Sequence, residues 1–79
     1  MNLTALLAHK EPLVRSLAQK AERYKAQYER GGVTRTEYEA LCRQLVDLKA
    51  LEDDAYTAEQ RLALQQAVQI LRSFLGVFL

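Results

Sequence analysis

Residues 30–38 read RGGVTRTEY and hold the end of one helix and the start of the next. The glycine pair at 31–32 predicts a helix end, because glycine enters the left-handed cap conformation at little steric cost. Thr34 and Glu37 have the spacing of a capping box, in which the threonine hydroxyl accepts the amide of Glu37 and the carboxylate accepts the amide of Thr34. This stretch therefore predicts two helices joined by a tight turn.

Three stretches carry apolar side chains at alternating spacings of three and four residues, the pattern of one helix face. These stripes are Val14, Leu17, Ala21, Tyr24, Tyr28; Tyr38, Leu41, Leu45, Leu48; and Leu64, Ala67, Leu71, Phe74, Phe78. They predict an all-α fold, a small three-helix bundle in which an antiparallel helical hairpin packs against a strongly apolar C-terminal helix. The predicted elements of this single domain, residues 1–79, are helices at about 12–30, 35–52 and 58–78 and a short helical piece at about 3–9.

Two boundaries stay open at this stage. Pro12 fits the first turn of a helix, where its missing N–H costs nothing, but a kinked continuous helix is the alternative. Thr57 and Gln60 form a second capping-box match, which predicts a new helix there. Since no glycine or proline forces a break before it, one bent helix from Thr34 onward is also compatible with the sequence.

Composition excludes several classes of protein. The chain has 79 residues, of which 49% are apolar, and its net charge is +1. It has room for one small domain, and its balanced charge argues against binding nucleic acid through bulk charge. The single Cys42 and single His9 exclude an intrachain disulfide and a Cys/His zinc site within one chain.

No targeting or membrane segment is expected. Residues 1–8 lack the basic start of a signal peptide. The most apolar stretch, residues 62–79, is interrupted by glutamines, an arginine and a serine, whereas a spanning helix needs about 20 mostly apolar residues. We predict a cytoplasmic protein, or a virion protein if the chain is a phage component.

The few side chains that could support catalysis predict that the chain is not an enzyme. His9 has no partner carboxylate or nucleophile in sight, and Cys42 falls beside an apolar stripe, where a buried thiol is the usual state. The acidic run 52–54 lacks the ligand pattern of a calcium loop, and Gly31-Gly32 lacks the context of a phosphate loop. We therefore predict no catalytic residues, no cofactor and no metal.

Charge is divided between the first two helical segments. Residues 1–30 carry six basic and three acidic side chains, and residues 31–56 carry three basic and six acidic ones. The opposite signs favour a hairpin between the two segments, although exposed pairs contribute only about 0.2–1 kcal/mol each.

The third helix is more apolar than a surface helix requires. Its apolar residues cover more than one face, and such a helix is buried or contacts another chain. Two neighbouring helices cover only one side, so Ile70, Val77 and a flank of Phe74 are expected to remain exposed and to mark an interface. The predicted interface residues are Leu64, Leu71, Phe74, Leu75 and Phe78, with Tyr28 and Tyr38 at the rim.

The stretch 28–41, YERGGVTRTEYEAL, resembles the turn of the SHOCT family, a short helical hairpin. The matching residues are Gly32, Val33, Thr34, Glu37 and Tyr38, whereas Cys42, Arg43 and Gln44 replace the usual lysine-rich run. Within residues 24–48, this resemblance implies an oligomerising or partner-docking role. The whole chain also looks like small uncharacterised phage and prophage products, which implies a virion component, an assembly factor or a small inhibitor of a host protein.

The leading functional prediction is a non-enzymatic protein–protein interaction module that binds a copy of itself, as a homo-oligomer, or another chain. The alternative is a DNA-binding regulator with residues 34–44 as the recognition helix of a helix-turn-helix. Arg35, Thr36 and Arg43 would then face the DNA, but the net charge of that segment opposes phosphate binding. A third interpretation is membrane-surface binding through the apolar third helix. Neither nucleic acid nor membrane is an expected partner.

Overall fold

The computed structural model describes residues 3–76 and confirms a compact all-α protein. Helices make up 78% of these residues, and no strand occurs among them. The five helices are α1 (Leu3–Leu7), α2 (Pro12–Glu29), α3 (Arg35–Leu45), α4 (Leu48–Asp53) and α5 (Ala58–Leu75). Three of them, α2, α3 and α5, form the predicted bundle.

The start of α2 settles the position of Pro12. The proline occupies the first turn of the helix, and Glu11 precedes it in extended backbone as the N-cap. The Glu11 carboxylate accepts the amide of Leu13 at 3.3 Å. Pro12 therefore begins a helix and does not kink one, since the first turn leaves amides without helical partners anyway.

The turn between α2 and α3 contains both local features that the sequence predicts. Gly31 has φ +75°, the left-handed conformation that favours glycine. The Thr34 hydroxyl accepts the amide of Glu37 at 3.1 Å, and the Glu37 carboxylate accepts the amide of Thr34 at 2.9 Å. These hydrogen bonds lower the pKa of Glu37 below its usual value, because they favour the ionised form.

The predicted second helix at 35–52 is two helices in the structure. It stops at Leu45 and resumes as α4 after Asp47, whose carboxylate accepts the amide of Ala50 at 3.4 Å. Aspartate favours this cap position because its side chain satisfies a free amide of the first turn. The second capping box, Thr57 with Gln60, then begins α5, so the second and third predicted helices are separate.

The core is apolar and lies between α2, α3 and α5. Buried side chains include Val14 and Ala21 of α2, Cys42 of α3 and Ala67 of α5, and no polar or charged residue among positions 3–76 is buried. The short helices complete it: α1 packs on α2 and α5, and α4 packs on α5.

Opposite charge does not hold the hairpin together. The only salt bridge within residues 3–76 joins Arg35 to Glu39 inside α3, at 2.8 Å. No ion pair joins α2 to α3 in this part of the chain, so apolar packing and the turn align them. Residues 3–76 also contain no helix with the length and hydropathy that crossing a bilayer requires.

Candidate functional site

The structure buries most of the residues predicted to form an interface on the third helix. Leu64, Leu71 and Leu75 of α5 and Tyr38 of α3 are at most 3% exposed and belong to the core of a single chain. Helices α1, α2 and α4 pack on α5 around these three leucines, and Tyr38 of α3 lies in the same core. Phe78 lies outside the described residues.

Tyr28 and Phe74 are half-buried at the end of the bundle where α5 finishes. The Tyr28 ring stacks on the Tyr38 ring with centroids 4.4 Å apart and planes 9° from parallel. The Lys25 ammonium lies 4.3 Å from the centroid of the Phe74 ring. The two tyrosines thus meet across the hairpin, and Phe74 is half covered by Lys25.

Side chains of α2 and α3 cap the C-terminal end of α5. Lys25 donates to the carbonyl of Phe74 at 2.8 Å, and the Tyr38 hydroxyl donates to the carbonyl of Leu75 at 2.6 Å. The last carbonyls of a helix have no partners within it, and cations favour its negative end. This cluster therefore stabilises the end of α5.

A groove lies between α2 and α4, and we call it the α2–α4 groove. It opens because α4 packs on α5, whereas α2 packs on α1, α3 and α5. The volume of the groove is about 250 Å³. Its lining comprises the α2 wall (Leu13, Ser16, Lys20, Tyr24), the α4 wall (Leu51, Asp54), a floor (Leu17, Leu45, Leu64) and Gln44.

The α2–α4 groove is apolar inside and charged at its walls. Its floor is buried core, and Leu13, Tyr24 and Leu51 on the walls are half-buried. Lys20 and Asp54 are exposed on opposite walls, and neither side chain forms a hydrogen bond or ion pair with residues 3–76. The groove thus presents apolar surface flanked by a lysine and an aspartate that are unpaired in the described part of the chain.

The sequence did not predict this groove, although it contains the residue spacing of the α2 wall. Leu13, Ser16 and Lys20 are three or four residues apart and lead to Tyr24 of the main apolar stripe, so the four residues share one face of α2. The missing information was the break at Asp47, because the groove exists only if α4 is a separate helix.

The groups that could support chemistry do not converge in the described part of the chain. The Nδ1 atom of His9 accepts the amide of Glu11 at 3.0 Å, which fixes the connection between α1 and α2. Cys42 is buried in the core, and burial raises the pKa of its thiol. Residues 3–76 contain no group of three or more His, Cys, Asp or Glu side chains that could hold a metal ion. The prediction of a non-enzymatic protein stays a prediction.

The alternative recognition helix is α3, and its first arginine is already engaged. Arg35 donates to Glu39 at 2.8 Å, and its guanidinium lies 5.7 Å from the centroid of the Tyr28 ring. Thr36 and Arg43 are exposed. No observation in the structure favours the DNA-binding alternative, which remains an untested prediction.

No family model matches this chain, and neither a curated protein nor a solved structure shows significant similarity to it. The SHOCT resemblance therefore rests on the turn residues alone, and the capping box at Thr34 gives those residues a local structural role. The functional argument depends on the geometry of the α2–α4 groove.

Proposed function

We propose that this chain is a non-enzymatic protein–protein interaction module and that it binds its partner in the α2–α4 groove. One observation carries the proposal: an open groove with an apolar floor has Lys20 on one wall and Asp54 on the other, and neither side chain is paired within residues 3–76. Apolar surface rimmed by polar groups is typical of binding sites, and a groove between helices suits a helical segment of a protein.

The proposal keeps the predicted class of function but moves the docking surface away from α5. Leu64, Leu71 and Leu75 are packed inside the chain, and Ile70 and Phe74 are half-buried. Leu62 is the only large apolar residue of α5 exposed by more than half, at 55%. The partner is a second copy or another protein. Under the same proposal, the chain acts as a phage assembly factor or as an inhibitor of a host protein, in the cytoplasm or in the virion.

The proposal is tested with matched leucine-to-lysine variants. Leu13→Lys and Leu51→Lys place a charge on each wall of the groove, whereas Leu62→Lys places the same charge on the exposed face of α5. Each variant is checked for helicity and is then used to capture partners from an extract of the source organism. Self-association of the purified protein is measured in parallel.

We expect one partner, either a second copy of the chain or another protein, to bind both wild type and Leu62→Lys. We expect each groove variant to bind that partner at least tenfold more weakly, because a buried, unpaired charge is costly at an interface. The proposal fails if no partner depends on the groove, or if Leu62→Lys weakens binding as much as the groove variants do.

A further inference from the structure

The connection between α1 and α2 is held together by the polar groups of one residue, His9. Its amide donates to the carbonyl of Leu6, near the end of α1, at 3.2 Å. Its ring Nδ1 accepts the amide of Glu11 at 3.0 Å, and its carbonyl accepts the Arg15 guanidinium of α2 at 2.8 Å. His9 therefore joins the end of α1, the turn and the start of α2 to one another.

The hydrogen bond to the ring depends on the charge of the imidazole. Nδ1 accepts the Glu11 amide only when the ring is neutral and carries its proton on Nε2, because both nitrogens are donors in a protonated ring. A free imidazole takes up this second proton at about pH 6.5. Protonation of His9 therefore breaks the bond that closes the turn.

The charged groups around His9 do not replace this bond. In the turn, Lys10 is exposed, and the Glu11 carboxylate already accepts the amide of Leu13 at 3.3 Å. From α2, Arg15 donates to the carbonyls of His9 and Lys10 and so brings a positive charge to the connection. Helix α1 has no charged residue, and no side chain of α5 forms a hydrogen bond or ion pair with His9 among residues 3–76. The nearby start of α2 is the positive end of its dipole and also opposes a charged ring.

Helix α1 depends on this connection because few other contacts hold it. It has five residues, and Leu6, 1% exposed, is the buried one among them. A helix this short is not stable on its own, so it stays folded only while it packs on α2 and α5. If α1 leaves, the apolar surface of α2 and α5 beneath Leu6 is uncovered.

We propose that this connection is a pH-sensitive latch, in which the neutral His9 ring holds α1 against α2 and α5 and protonation of the ring releases α1. The inference goes beyond the proposed function and does not depend on the α2–α4 groove. The folded protein favours the neutral ring, whereas the unfolded chain leaves the ring free to take up a proton. The contribution of the ring to stability is therefore complete above the pH at which a free imidazole titrates and is lost as the pH falls.

Two substitutions separate the latch from other effects of pH. In His9→Asn the side-chain oxygen accepts the amide two residues later, as asparagine does in turns, and it does not titrate. His9→Ala has no acceptor at any pH. Circular dichroism confirms that each variant retains its helices. Hydrogen–deuterium exchange of the amides at the end of α1, expressed as protection factors at about pH 7.5 and about pH 5, then measures the release of α1 on either side of the imidazole titration.

At the higher pH, wild type and His9→Asn are expected to protect the end of α1 equally, and His9→Ala about fivefold less, which corresponds to one hydrogen bond. At the lower pH, protection in wild type is expected to fall about fivefold, to the level of His9→Ala, whereas His9→Asn keeps its protection. These amides are expected to exchange faster than those of Ala18 and Ala21 in the core of α2, because α1 opens before the bundle does.

Two results overturn the inference. If the lower pH does not bring wild type to the level of His9→Ala, protonation does not release α1, and a charged ring that pairs with the Glu11 carboxylate gives this result. If the end of α1 exchanges only as fast as the core of α2, protonation destabilises the whole bundle and α1 is not a separate latch.

Discussion

The hydroxyl of Tyr38 is expected to stabilise the fold far more than its size suggests. Its ring is 1% exposed, and the hydroxyl donates to the carbonyl of Leu75 at 2.6 Å. Leu75 is the last residue of α5, where helix carbonyls lack donors within the helix, and the phenol supplies a donor to this carbonyl. Burial also raises the pKa of Tyr38, which keeps the hydroxyl protonated as a donor.

The perturbation is Tyr38→Phe, which removes this donor and keeps the ring stacked on Tyr28. A hydrogen bond contributes about 0.5–1.5 kcal/mol net, and a buried group left without its partner costs about 1–3 kcal/mol. We expect the free energy of unfolding to fall by about 2 kcal/mol. For a domain of this size, that loss lowers Tm by about 10 °C.

Urea unfolding followed by circular dichroism measures this change. Tyr56→Phe is the matched control, because Tyr56 is 92% exposed and its hydroxyl has no partner among residues 3–76. The control is expected to stay within about 0.5 kcal/mol of wild type. If Tyr38→Phe is no less stable than Tyr56→Phe, the capping role of the phenol is refuted.

Other predictions follow from single features. Gly31→Ala is expected to cost about 1 kcal/mol in urea unfolding, because φ is +75° there. Leu6→Ala, at a side chain 1% exposed, is expected to cost about 3 kcal/mol in the same assay. Glu37→Gln is expected to be less stable than wild type at neutral pH. Because the folded pKa of Glu37 is lowered, the stability difference between the two proteins should be fully present at pH values above the ordinary pKa of 4.5. Measured by thermal unfolding, this difference should disappear as the pH falls through the folded pKa. The Cys42 thiol is expected to react with a thiol reagent only as fast as the surrounding core opens, because the thiol is buried and its pKa is raised.

The elements that sequence predicted best are those set by contacts within four residues. The capping boxes at Thr34 and Thr57 and the left-handed Gly31 are local, and all three are confirmed. The break at Asp47 is local too, but it has no glycine or proline, and the apolar stripe continues across it from Leu45 to Leu48. A single cap residue competing with good helix formers is a weak signal, so the prediction joined α3 to α4.

The site required information that no local pattern contains. The predicted stripe along α5 correctly marked Leu64 and Leu71 as apolar contacts, but a stripe does not say whether the contact lies inside the chain or between chains. The α2–α4 groove depends on which helices touch. That is a property of packing between segments far apart in sequence, and neither wall of the groove alone predicts it.

The short helices explain both why α5 is covered on more than one side and why α2 borders an open groove. A bundle of three helices would leave more of α5 uncovered, but α1 and α4 both pack on it as well. The side of α2 that faces α4 does not receive the same cover, because a helix of six residues with no buried side chain reaches α5 without closing onto α2. Leu13, Tyr24 and Leu51 therefore stay half-buried around an open groove. In this fold the open apolar groove lies between α2 and the six-residue helix α4.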